Sequence, residues 1–144
     1  MSLKQISVFV ENKPGKLHQL TEVLAKHNVD MRALSLAETT DFGIVRIIVN
    51  DVYAASTLLK DEGYIHNVSK VLGVAIPDEP GGLNTVLSVL EENQINVEYM
   101  YAFMGGKDVP HAYMIFRVQD NKAAVAALAA KGIQCVEHDA LTTM

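Results

Sequence analysis

One cysteine stands in 144 residues, so Cys135 cannot close an internal disulfide, and this agrees with a reducing compartment. Basic residues are also scarce. Twelve Lys and Arg stand against seventeen Asp and Glu, and the net charge is −5. No five-residue window holds more than two basic residues, whereas phosphate backbones are bound by basic patches, so nucleic acid is excluded as a partner. Long apolar runs are missing too. Val71 to Ile76 and Ala123 to Ala130 fall far short of the roughly 20 residues that span a bilayer. No apolar stretch of the secretory type follows Met1-Ser2-Leu3-Lys4-Gln5. The expectation is a cytoplasmic chain with no membrane partner. At 49% hydrophobic and 20% charged residues, it is too apolar for disorder, and its length suffices for one average domain or two small ones.

Catalytic signatures are absent as well. There is no P-loop, GxGxxG, GxSxG, HExxH or CxxC pattern, and His18, His27, His66, His111 and His138 are dispersed with no metal-ligand spacing. Neither metal nor cofactor is expected, and the chain is read as a non-enzyme. Cys135, between Gln134 and Val136 in an expected strand, reads as a buried, inert thiol.

What the sequence has is a repeat. An offset of 66 lays Asn12-Lys13-Pro14-Gly15-Lys16-Leu17 on Asp78-Glu79-Pro80-Gly81-Gly82-Leu83; Pro14, Gly15, Leu17, Val23 and Leu24 recur identically, and Val29, Asp30 and Met31 recur in kind as Ile95, Asn96 and Val97. An offset of 69 then aligns Val49, Asp51, Ala54, Ala55, Leu59 and Gly63 with Val118, Asp120, Ala123, Ala124, Leu128 and Gly132. The three extra residues fit the turn-rich stretch Gly105-Gly106-Lys107-Asp108.

Each copy reads as β-α-β-β-α-β. Residues 3–10 alternate like a half-buried strand, Pro14-Gly15 breaks it, and Leu17, Leu20, Val23 and Leu24 share one face of a helix from Lys16 to His27. Asn28 closes that helix, a strand runs from Val29 to about Ala37, and Thr39-Thr40-Asp41 turns into a β-branched strand at Ile44–Val49. Asp51 caps a second helix that ends at Gly63, and a last strand starts at Tyr64. In the second copy the strands fall near 70–77, 95–104, 110–118 and 133–138, and the helices near 82–93 and 121–131. The fold expected is α+β, two ferredoxin-like βαββαβ domains, residues 1–69 and 70–144, packed side by side.

Two elements suit a zwitterion. A Pro-Gly turn opening a helix presents free backbone N–H groups at the positive end of the helix dipole, where a carboxylate is favoured. Asp30 and Asn96, at the starts of strands, offer acceptors to an ammonium group. Tyr99, Tyr101 and Phe103 share a strand face and with Tyr113 and Phe116 either line a pocket or pack the core. Met100, Met104 and Met114 read as gap-filling core residues.

The Pro-Gly-x-Leu loops, with His27-Asn28-Val29-Asp30-Met31 and Asn93-Gln94-Ile95-Asn96-Val97 at the helix ends, resemble the ACT domain, a small-molecule regulatory module, twice over. The resemblance implies a free amino acid bound where the first loop of one domain faces the second strand of a neighbour. The carboxylate would meet Gly15, Lys16 and Leu17 or Gly81, Gly82 and Leu83, with Asn12, Asp30, Met31, Asp78, Asn96 and Val97 completing the site. Asp30 departs from the Asn common in that family, and the loops differ in charge, Asp78 and Glu79 replacing Asn12 and Lys13. At most one of the two sites is therefore expected to bind tightly. The reading is an amino-acid sensor that works as a homo-oligomer, such as a dimer, or through a metabolic enzyme. Residues Ile6 to Glu38 also resemble the small regulatory subunit of acetolactate synthase, which makes that enzyme an alternative partner. A ligand-independent adaptor and a small enzyme remain as other classes; against the enzyme, an acylphosphatase-like loop needs an Arg, and this one has Lys13 and Lys16 only.

Overall fold

The computed structural model describes residues 2–103 and 111–138. The chain forms β1 (Leu3–Glu11), α1 (Lys16–Lys26), β2 (Met31–Glu38), β3 (Phe42–Val49), α2 (Val52–Asp61), β4 (His66–Pro77), α3 (Gly82–Glu92), β5 (Tyr99–Phe103), β6 (His111–Arg117), α4 (Asn121–Ala130) and β7 (Cys135–Val136). Two compact units result, one of Lys4–Ser69 and one in which Leu3 joins the described residues from Lys70 onward.

In the first unit the strand order is β2-β3-β1-β4, with β1 and β2 both antiparallel to β3. Ile6, Val8 and Val10 of β1 and Val45, Ile47 and Val49 of β3 meet Leu20 and Leu24 of α1 and Ala55 and Leu59 of α2 in one core. The second unit repeats this as β7-β4-β6-β5. There Leu72, Val74 and Ile76 pack with Phe116 and Val118 against Val86, Val89 and Leu90 of α3 and Ala124 and Leu128 of α4. This is the ferredoxin-like arrangement, found in both copies.

The helix punctuation follows local chemistry. Asp51 and Asp120 sit in extended backbone, and each accepts a hydrogen bond on its side-chain oxygen at 3.0 Å, from the N–H of Ala54 and of Ala123. Helices α1 and α3 end in left-handed residues, Asn28 and Gln94, both at φ 56°. Gly63 and Gly132 perform the same reversal after α2 and α4.

Several expectations need correction. The last strand of the first copy and the first of the second are one strand of twelve residues, β4, starting at His66 and not at Tyr64. Ile95, Asn96 and Val97 precede β5 in irregular backbone, and β7 is only two residues long. Strand β1 is not half-buried: Gln5 and Ser7, opposite the helix-facing side, are 0% and 7% exposed. Alternation reported polarity correctly there, but burial was met by hydrogen bonding, with the Gln5 Nε2 donating to Ser7 Oγ and Ser69 Oγ. Met100 is exposed, whereas Met114 packs against the core. Tyr101, Phe103 and Tyr113 are buried, with the Phe103 and Tyr113 rings 5.0 Å apart, and Phe116 is a core residue. The Gly105-Gly106-Lys107-Asp108 stretch and Met104 lie outside the described residues.

Candidate ligand-binding site

The Pro-Gly turns are built twice in the same way. Gly15 and Gly81 occupy the N-cap positions of α1 and α3 at φ 84° and 88°, in the left-handed region that a side chain disfavours. The N–H groups of Lys13 and Glu79 donate to the carbonyls of Glu11 and Pro77, both at 2.9 Å. Those of Lys16 and Gly82 donate to Lys13 and Glu79 at 3.3 and 3.1 Å. The first regular helical bonds are Gln19 to Gly15 and Thr85 to Gly81, each 3.0 Å. Neither helix start has a side-chain cap. The N–H groups of Leu17 and His18, and of Leu83 and Asn84, have no acceptor among the described residues. Both turns therefore expose two donors at a positive helix end.

The surroundings differ between copies. Beside Gly81 lies a hollow of about 710 Å³, walled by Ala75, Ile76, Pro77, Pro80 and Val86, by Asn84 and Thr85, and by Gly132, Ile133 and Gln134 of the α4–β7 connection. A Cβ at Gly82 would run into the Pro77 carbonyl oxygen, so this residue is confined to glycine by space, and Gly81, with nothing within 4 Å, by its dihedral angle. The equivalent hollow of the first unit, between Lys16, Gln19 and the Gly63-Tyr64-Ile65 connection, has about 340 Å³. A second hollow there, about 520 Å³, opens on the other side of the loop among Asn12, Lys13, Pro14, Leu17, Leu36, Glu38 and Gly43.

Charge differs as well. Lys13 Nζ lies 3.0 Å and Lys16 Nζ 3.8 Å from the Glu11 carboxylate. The Lys13 hydrogen bond, joined by the charges of Lys13 and Lys16, holds the Glu11 carboxyl below its ordinary value. Burial raises the Tyr64 phenol, with Glu62 adding to it. Burial also raises the Cys135 thiol, as expected of an inert cysteine.

The polar strand-start residues are elsewhere. Glu11 pairs with Phe42 at one end of β3, and Met31 pairs with Val49 at the other, a separation of about 23 Å at 3.3 Å per residue. Within a unit, Gly15 and Asp30 thus lie at opposite ends, because α1 returns the chain along the sheet before β2 begins. Loop and strand start therefore do not meet within one unit; the expected site pairs the loop of one domain with the second strand of a neighbouring domain. Asp30 faces Arg32 at 3.4 Å, and its backbone is bonded to Asn50. Asn96 lines a separate polar hollow of about 640 Å³ with Glu98, Arg117 and Gln119. Asn12 donates from Nδ2 to the Thr39 carbonyl, which ties the loop to the β2–β3 turn. Asp78 is exposed. Leu17, Met31, Leu83 and Val97 pack against the two cores. Residues 132–134 were not foreseen as site residues; Gly132 aligns with Gly63, but nothing in the sequence sets it beside Gly81.

The sequence model of the family described as ACT domain pair matches residues 1–144. The chain belongs to that family. An ACT pair is a regulatory, amino-acid-binding module, and no helix among the described residues is long and apolar enough to cross a membrane. A crystal structure of protein BT0572 from Bacteroides thetaiotaomicron is 37% identical with a TM-score of 0.92, covering 100% of this chain and 98% of that one. The regulatory subunits of aspartate kinase from Thermus thermophilus and Thermus flavus share the fold at 13% and 12% identity, with TM-scores of 0.61 and 0.62. Each alignment covers 88% of this chain, and 91% and 90% of the respective subunit. No curated protein matches the chain.

Proposed function

We propose that this ACT pair is a non-catalytic sensor of a free amino acid, bound at a β-α loop and read out by a change in its own assembly or in its contacts with a metabolic enzyme. The observation that carries the reading is the hollow beside Gly81, where a left-handed turn leaves the N–H groups of Leu83 and Asn84 free next to about 710 Å³ of space. That volume lies within the usual range for small-molecule sites, about 300–1,000 Å³. A carboxylate at those N–H groups would gain charge-assisted hydrogen bonds and the helix dipole. In this reading the chain acts in the cytoplasm as a homo-oligomer, and an amino-acid biosynthetic enzyme such as acetolactate synthase is a candidate partner.

The test is a thermal-shift screen of the intact protein, shown to be free of co-purified ligand, against the twenty amino acids. A ligand at 100 times its Kd adds about 2.7 kcal/mol to the folded state. At roughly 2–4 °C per kcal/mol for a chain of this size, the midpoint should rise by about 5–10 °C. No shift with any amino acid refutes the sensor and leaves the ligand-independent adaptor.

A further inference from the structure

The two copies of the loop differ in a way that bears on which ligand is sensed and how many are bound. In the first copy the hollow holds the chain's own charges: Lys16 lines it together with Glu11, the two are 3.8 Å apart, and Lys13 caps the same carboxylate at 3.0 Å. The second copy replaces all three. Glu11 becomes Pro77, Lys13 becomes Glu79 and Lys16 becomes Gly82. Removing the lysine side chain leaves a space about twice as large, and Glu79 has no ion-pair partner among the described residues.

Resting on the sensor reading, we propose that the chain binds one ligand, in the second copy only, and that the ligand is an α-amino acid with an aliphatic side chain. Among the described residues, Glu79 is the only charged one lining this hollow, so it takes the ligand's ammonium group, and no described lysine or arginine lines it to accept an acidic side chain. A basic side chain would need a second carboxylate, and none lines the hollow among the described residues. The buried floor is aliphatic, with Ile76 5% and Val86 2% exposed, and Ile133 and Pro80 add to it. Burial of an aliphatic side chain against that floor is a favourable contribution open to the ligand, beside the polar side chains of Asn84, Thr85 and Gln134. In the first copy, a ligand's ammonium group would have to compete with Lys13 and Lys16 for the Glu11 carboxylate, although Glu62 also lines that hollow.

The experiment is isothermal titration calorimetry of the full chain with L-valine, L-isoleucine, L-aspartate and L-lysine, repeated on Glu79→Gln and Glu11→Gln. Both substitutions are at exposed positions, and circular dichroism checks that each variant folds. The expected result is one valine or isoleucine per chain, affinity at least tenfold weaker in Glu79→Gln and unchanged in Glu11→Gln, and at least tenfold weaker binding of aspartate and lysine. Two ligands per chain, an aspartate or lysine preference, or full affinity in Glu79→Gln would overturn this inference while leaving the sensor standing. No binding of valine or isoleucine would overturn this inference, and no shift with any of the twenty amino acids in the thermal-shift screen would overturn the sensor reading with it.

Discussion

Gly81 and Gly82 are adjacent glycines held by different forces, and alanine at each separates the two. Gly81 has φ 88° and open space around it, so Gly81→Ala meets only backbone strain. A left-handed alanine costs about 1–2 kcal/mol, offset by about 0.4–1 kcal/mol from a less flexible unfolded chain, for a net loss near 1 kcal/mol. Gly82 has ordinary helical backbone, where alanine is intrinsically better by about 0.8–1.0 kcal/mol. Its Cβ, however, would strike the Pro77 carbonyl oxygen, which is backbone and cannot swing aside. Overpacking costs about 1–3 kcal/mol and occasionally more, and against a backbone atom the upper end applies, so the net expected loss is about 2–3 kcal/mol. Lys16→Ala is the control, since the equivalent position of the first copy already carries a Cβ. Differential scanning calorimetry should place Gly82→Ala about 4–12 °C below wild type, Gly81→Ala less far below, and Lys16→Ala close to wild type. A Gly82→Ala protein as stable as Lys16→Ala would refute the close-approach argument.

Other consequences can be checked independently. Asp51→Ala and Asp120→Ala each remove one side-chain cap of the same geometry, so urea unfolding should show similar losses of about 1 kcal/mol in both. Because the folded Glu11 carboxyl titrates below its unfolded value, its contribution to stability is complete above the unfolded pKa and is lost as pH falls through the folded one. An NMR titration of Glu11 should show its midpoint moving up in Lys13→Ala, and an unmoved midpoint would remove the Lys13 hydrogen bond as the cause. Cys135 is 8% exposed with its thiol pKa raised by burial; it should react with a thiol reagent slowly in native buffer and quickly in urea.

Much of the fold was legible because its signals are local. The period of Leu17, Leu20, Val23 and Leu24 sets a helix face, Asp51 and Asp120 satisfy N–H groups three residues on, and Pro14-Gly15 and Pro80-Gly81 break strands into helices. Repetition of these signals at offsets of 66 and 69 revealed two copies of one fold. Strand ends were less legible: His66–Pro77 carries no break to mark where one copy's last strand becomes the next copy's first.

By itself, then, the sequence determined the order of elements, the doubled architecture and the two uncapped turns, since dihedral preference, capping and hydrophobic period act over a few residues. Only the tertiary structure decided which distant residues meet. It set Gly132, Ile133 and Gln134 beside Gly81, separated Gly15 from Asp30 by the length of β3, and buried Gln5, Ser7 and the Phe103–Tyr113 pair. Those neighbours arise from pairing across strands and packing of helices onto them, and no periodicity along the chain encodes such long-range contacts.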